Sequence, residues 1–452
     1  MPRKPPEENG ERILPEVKTI DGQPLDPKNP PAQQRYKEQL LSLETLVREY
    51  KLITPLMGGG VSAGENDPIT IVRGAGIRGQ LRFWWRACRA SQFPSIREMK
   101  EREDEIWGST ENPAKVSIEV ISKKSGDESA FEVVADPRRP GKLKVQESKK
   151  IAPYAAFPLL PDKDQQRKAG WESDKVSLDV TFTLTIGYPK EELLEREIRA
   201  ALWAWETFGG VGARTRRGFG AIRLHKENGK SVDPYPEDRA QIEKDIREKL
   251  REFANGPYHH QDIPQLNDKV KIEFTSVKKN EPDAWKHLIN LLKEFRQNRF
   301  GSTYGQSKWP EANALRQRTG NKARFSEDVP YKCQKVIDKF PRAAFGLPLL
   351  FHLPHDGSIG EVNLQGADGP NGEKRERLSS PIILRPLSCK NDRGIGMAVI
   401  LDAPSIPLLL KGKAKNTPAP SSQLDAEEAA AIEPLNGVRD VLQAFLNRVR
   451  NS

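Results

Sequence analysis

Cysteine is scarce, with only Cys88, Cys333 and Cys389 in 452 residues. No C-x-x-C pair occurs, which argues against a structural zinc site and against a disulfide framework. Histidine is sparse too, at six residues, so general bases for metal-independent chemistry are few. No apolar run approaches the roughly 20 residues of a membrane-spanning helix. The opening MPRKPPEENGER lacks the apolar core of a signal peptide. The expectation is a cytoplasmic protein with no membrane association, no metal and no cofactor.

The nucleotide-loop signatures are missing as well. A dinucleotide fingerprint needs G-x-G-x-x-G, and counting from Gly210 and Gly212 the third glycine falls on Thr215. Gly59 and Gly64 have the spacing of a Walker loop, but Glu65 and Asn66 replace its lysine and hydroxyl. An acid there repels a triphosphate.

Glycine and arginine together are what is present. Residues 54–86 read TPLMGGGVSAGENDPITIVRGAGIRGQLRFWWRA. Gly58, Gly59 and Gly60 follow a strand-like run, and a helix opens near Gly76, just after Arg73. Arg78, Arg82 and Arg86 fall four apart and form one basic stripe. Residues 208–220 read FGGVGARTRRGFG, with Arg214, Arg216 and Arg217 among five glycines. Glycines let main-chain N–H groups approach a phosphate backbone, and arginines supply paired donors. The bland alternative is an ordinary solvated helix face. Lys+Arg total 73 against 63 Asp+Glu, a net charge of +10 that favours a polyanionic partner.

TPLMGGG, then IRGQLRFWWR, then GGVGARTRRGFG resembles the RAMP superfamily of CRISPR ribonucleoprotein subunits. The form is similar to the first-subunit family of the Cmr (type III-B) effector complex. SPIILRPL (380–387) and Phe345–Pro348 carry a weaker likeness. The resemblance implies a non-catalytic, RNA-binding role in antiviral defence, with guide or target RNA and other Cmr subunits as partners.

Periodicity supplies the organisation. Residues 1–40 are a proline-rich arm. Strands are expected at 45–56 and 115–122, and helices at 76–91 and 94–107. Residues 123–150 suit an inserted hairpin or loop. Val176 to Ile186 alternate apolar with polar, the pattern of a half-buried strand. A helix from Pro189 to Gly209 and a strand at 217–225 complete a β-α-β-β-α-β order, the ferredoxin-like arrangement. The second unit has a charged helix from Pro236 to Phe253, a strand at 268–278 and a helix at 283–298. Further strands are expected at 343–353, 380–387 and 395–402, a linker at 411–432 and a closing helix at 434–449. Its pattern alone says mixed α/β, and the resemblance implies a second, degenerate ferredoxin-like unit. The expected fold class is α+β, two ferredoxin-like (RAMP/RRM-like) domains with insertions, over 41–235 and 236–452.

No catalytic residue is assigned. His225 ends a strand near the second glycine loop and is the best-placed base, which leaves a RAMP-type endoribonuclease as the alternative. A protein–protein cap is the third reading. Glu101, Glu103, Asp104 and Glu105 read as a solvated helix face. Trp84 and Trp85 read as core. Trp309, beside Lys308, reads as exposed and able to stack on a base. Arg316, Arg318 and Arg324 read equally as RNA contacts or as a solvated helix end.

Overall fold

The computed structural model describes residues 43–60, 67, 70–260, 263–302, 305–353, 359–369, 373–401 and 406–452. The arm expected over 1–40 lies outside these residues, as do Glu65 and His355.

The first half runs β1 (Leu43–Leu52), α1 (Gly74–Arg89), α2 (Ile96–Trp107), β2 (Ser117–Lys123), β3 (Gly126–Ser129), β4 (Phe131–Ala135) and β5 (Leu143–Glu147). It continues with β6 (Lys175–Leu178), β7 (Thr181–Pro189), α3 (Glu192–Phe208), β8 (Ile222–Glu227) and β9 (Lys230–Ser231). The second half runs α4 (Arg239–Phe253), β10 (Lys271–Phe274), α5 (Glu281–Gln297), α6 (Glu311–Arg318), β11 (Leu349–His352) and β12 (Glu361–Gly366). Then come β13 (Ile382–Ser388), β14 (Gly394–Ile400), β15 (Leu408–Lys411), α7 (Ala426–Ala431) and α8 (Val441–Arg450).

Hydrogen bonding orders the first sheet β2-β7-β1-β8-β9. The central strand β1 pairs antiparallel with β7, Tyr50 opposite Phe182, and with β8, Leu52 opposite Ile222. Period two sends Leu46, Arg48, Tyr50 and Leu52 inward. The three apolar members meet Leu81, Trp85 and Cys88 of α1 and Ile198, Leu202 and Trp205 of α3 in one cluster. Arg48 is tolerated among them because Glu206 at 2.5 Å and Glu227 at 2.7 Å pair with it. The strand expected over 176–186 is two strands. Asp179 takes a positive φ of 48°, after which β7 joins β1 and β2, while β6 pairs with β3 of the insertion. The insertion also holds the hairpin of β4 and β5.

The second sheet is β10-β14-β13, antiparallel throughout. Every residue of β13 is buried. Alternation explains why: Ile383 and Leu387 face the α1–α3 cluster, while Ile382 and Leu384 face a second cluster with Trp285, Leu288 and Leu292 of α5 and Phe445 of α8. One sheet therefore serves two cores and joins the halves. The closing helix packs on the chain's own core, as expected of its apolar face. Sheet β11-β12-β15 has a small cluster of its own, with Leu315, Phe340 and Leu364.

Residues 411–432, expected as a linker, are pinned to the body. Arg318 donates to the carbonyls of Lys415 (3.0 Å) and Pro418 (2.8 Å), and Phe340 N–H donates to Ser421 O at 2.8 Å. Asp425 and Glu428 then form a capping box that starts α7. No helix among the described residues is long and apolar enough to cross a membrane.

Candidate nucleic-acid interface

The two glycine loops meet. Ile53 N–H donates to Ala221 O at 2.8 Å. Thr54 Oγ1 donates to Gly218 O at 2.6 Å and accepts from Ala221 N–H at 2.9 Å. Gly220 N–H donates to Pro55 O at 2.8 Å, and Ala213 N–H to Met57 O at 2.7 Å. Segments 160 residues apart in sequence thus form one hydrogen-bonded layer at the end of β1, satisfying backbone groups that a loop would otherwise leave open.

The second loop is wedged between the halves. Phe219 sits in the α5 cluster, its ring 4.9 Å from Trp285 in an edge contact. Trp285 Nε1–H donates to Arg217 O at 2.7 Å. Arg385 of β13, 1 % exposed, donates to Gly209 O at 2.6 Å, to Trp205 O at 3.3 Å and to Ile222 O. A cation from the second sheet therefore caps the C-terminal carbonyls of α3, where the helix dipole is negative. Burial pushes the Arg385 guanidinium down to about 10. An arginine inside the apolar run SPIILRPL was the sequence signal for a buried polar joint of this kind.

The three loop arginines are part-buried at this seam. Arg214, itself left-handed at φ 57°, donates from Nε to Ala155 O at 2.5 Å. Arg216 donates to Ser380 O and lies 5.9 Å from the Phe83 ring centre. Arg217 donates to Ile382 O at 3.2 Å and Arg216 O at 3.1 Å. Their partners are carbonyls, and among the described residues none has a carboxylate ion pair. Burial lowers the pKa of Arg214 and Arg216, and pushes Arg217 down to about 9, helped by the like charges of Arg296, Arg214 and Arg216. Arg296, in the last turn of α5, is lowered by burial as well.

The α1 stripe is spent differently. Arg82 Nε and Arg86 Nη1 lie 2.6 and 2.5 Å from the same Glu103 oxygen, and Glu103 is 1 % exposed. Arg82 also reaches Asp104 (3.2 Å) and Gly108 O (2.7 Å), and Arg78 donates to Trp107 O at 2.8 Å. The stripe holds α2 against α1, and Glu103 and Asp104, expected to be solvated, supply its counter-charge, while the Glu101 side chain is exposed as expected and that of Glu105 partly so. Arg73, immediately before α1, forms an ion pair with Asp67. These side chains still reach solvent in part, with Arg82 25 %, Arg86 33 % and Arg73 38 % exposed.

Gly58, Gly59 and Gly60 sit beside the layer, Gly58 and Gly59 with positive φ of 66° and 112°. Trp84 and Trp85 are core. Trp309, expected at the surface, is buried: its indole N–H donates to Phe295 O at 2.9 Å and its ring packs on Phe295. No face is left for a base. Arg318 is likewise buried, on Asp338 at 2.6 Å. His225 is exposed on β8. Among the described residues no group of three or more His, Cys, Asp or Glu is placed to hold a metal. Burial pushes the thiols of Cys88 and Cys389 up to about 12, away from nucleophilic use.

Against known families, residues 49–223 match the RAMP superfamily. The CRISPR system Cmr subunit Cmr1-1 of Pyrococcus furiosus is 26 % identical over 279 residues, covering 61 % of this chain and 70 % of that protein. Cmr1-2 of the same organism is 27 % identical over 184 residues, covering 39 % and 92 %. The crystal structure of Cmr1 from Pyrococcus furiosus in its apo form superposes with a TM-score of 0.49 at 14 % identity, over 80 % of this chain and 89 % of that one.

Proposed function

From a chain that belongs to the RAMP superfamily and is of its Cmr type, we propose a non-catalytic RNA-binding subunit of a type III-B CRISPR ribonucleoprotein. Other subunits of the complex, and guide or target RNA, are its partners on this reading. The setting is the cytoplasm. The chain would be built from two ferredoxin-like units, one before and one after about residue 236. The strand order β8-β1-β7-β2 and the shorter β10-β14-β13 support that division.

One observation carries the reading: two glycine loops converge, and the arginines of the second have no acidic partner among the described residues. Gly58–Gly60 with Arg214, Arg216 and Arg217 form the contact we assign. Arg73, Arg82 and Arg86, each paired with a carboxylate, and Arg78, held by carbonyls, complete the assigned set. Phosphate contact of this kind is sequence-independent and releases counterions.

The test is fluorescence anisotropy of the full chain with single-stranded RNA across a salt series. Affinity should fall with a log–log slope of about −0.7 per phosphate contacted, with little preference among sequences. A salt-independent affinity overturns the reading. The same RNAs, incubated with magnesium, are expected to stay intact. A discrete product that disappears in His225→Ala would establish the endoribonuclease instead.

A further inference from the structure

We propose that Phe157 is a stacking platform for one base of the RNA whose phosphates the second glycine loop contacts. The inference rests on the RNA reading and adds a residue that neither glycine motif contains.

Elsewhere in this chain phenylalanine is a buried or half-buried residue. Of sixteen, Phe157 alone is exposed, at 65 %. A ring left in water adds nothing to the hydrophobic core. Nor does it sit on a loose segment. Phe157 opens a single 3-10 turn, Phe157–Leu159, in the insertion after β5. Ala156 N–H donates to Ala152 O at 3.1 Å, Leu159 N–H to Ala156 O at 2.8 Å and Leu160 N–H to Phe157 O at 3.1 Å. Ala155, Ala156 and Leu159 are buried in one cluster with Met57 of the first glycine segment and Phe219 of the second. The turn is therefore anchored on its inner side where the two loops meet, while Phe157, Pro158 and Leu160 face outward. Leu160, 44 % exposed, widens the apolar shelf.

The neighbouring charge selects the occupant. Arg214 Nε donates to Ala155 O at 2.5 Å. Two residues of chain span at most about 7 Å, so Phe157 and Arg214 lie within reach of a single nucleotide. Arg214, Arg216 and Arg217 have no carboxylate ion pair among the described residues. An apolar protein segment on the shelf would leave that charge unanswered. A nucleotide answers both features, its phosphate on a guanidinium and its base over the ring. Phenylalanine carries no hydrogen-bonding group, and every base offers a π face, so the contact reads no sequence. That agrees with a grip made mainly on phosphates. The role expected of Trp309, which is enclosed, thus falls to an aromatic of the insertion.

The test is fluorescence anisotropy of the full chain across a salt series, for wild type, Phe157→Ala and Phe157→Tyr. The probes are single-stranded oligouridine and the same oligomer with abasic nucleotides. Phe157→Ala should bind oligouridine about tenfold more weakly. Its salt slope should equal that of wild type, because no phosphate contact is lost. Phe157→Tyr keeps the π face and should bind as wild type does. On abasic RNA wild type and Phe157→Ala should be equal. Melting should be unchanged in both variants, since the ring is exposed.

Equal binding of oligouridine by wild type and Phe157→Ala overturns the platform and leaves the shelf to a protein neighbour. A loss that persists on abasic RNA overturns it too, because the ring then acts without a base. The two readings fail separately. Salt-dependent binding that ignores Phe157 fails the platform alone, whereas absent or salt-independent binding by wild type fails the functional reading and the platform with it.

Discussion

A Cβ added to Gly59 would meet nothing within 4 Å, whereas one added to Gly220 would lie 1.9 Å from Val211 O. The two glycine loops have similar composition and touch each other, yet they use glycine for opposite reasons. Gly59 needs it for backbone shape, at φ 112° with open space around. In the second loop the space itself is taken. Cβ atoms at Gly209, Gly210, Gly212 and Gly218 would fall 2.5–2.7 Å from Trp84 Nε1, Gly220 O, Leu56 Cδ1 and the Trp285 ring. A glycine-rich string therefore signals either an approachable rim or a compressed joint, and this chain has one of each.

Breaking the joint should show the largest effect. Gly220→Ala combines the clash with Val211 O and a positive φ of 59°. We expect a loss of at least about 3 kcal/mol, read as a drop in the urea midpoint. If the midpoint is unchanged, the loop is looser than its contacts imply. Next comes Arg385→Leu. It leaves the carbonyls of Trp205, Gly209 and Ile222 without that donor, although a buried charge is removed with it. The net cost should be about 2 kcal/mol. The smallest effect on stability belongs to Gly59→Val. Strain at that φ should cost about 1 kcal/mol, and RNA affinity should fall far more than stability does. Normal RNA binding by the folded variant would reduce the first loop to a plain turn and leave the RNA contact to the arginines of the second.

Much of the first half was legible because its signals are local. Alternation over 176–186 marked a strand, and the apolar spacing of 189–209 marked α3. Alternation carries no information about partners, so the break at Asp179 and the different pairings of β6 and β7 were invisible. Glu103 looked solvated because its partners, Arg82 and Arg86, lie on a different helix. Trp309 looked exposed because Lys308 precedes it, but Phe295 of α5 covers its ring and accepts its indole N–H. Residues 411–432 had the composition of a linker, yet Arg318 and Phe340 hold them. The glycine–arginine motifs were visible in the sequence. Their convergence was not.

The side-chain hydrogen bonds across the joint are donors on main-chain acceptors: Arg385 on Trp205, Gly209 and Ile222, Arg216 on Ser380, Arg217 on Ile382, and Trp285 on Arg217. Every amino acid supplies the same carbonyl. Residues 205, 222, 380 and 382 can therefore drift in identity, subject only to packing, without deleting one of these bonds. Evolutionary constraint falls unevenly, on the arginines, on Trp285 and on the glycines that have no room for a side chain. Two diverged copies of such a chain could keep the same union of halves while sharing little more than a scatter of glycine and arginine.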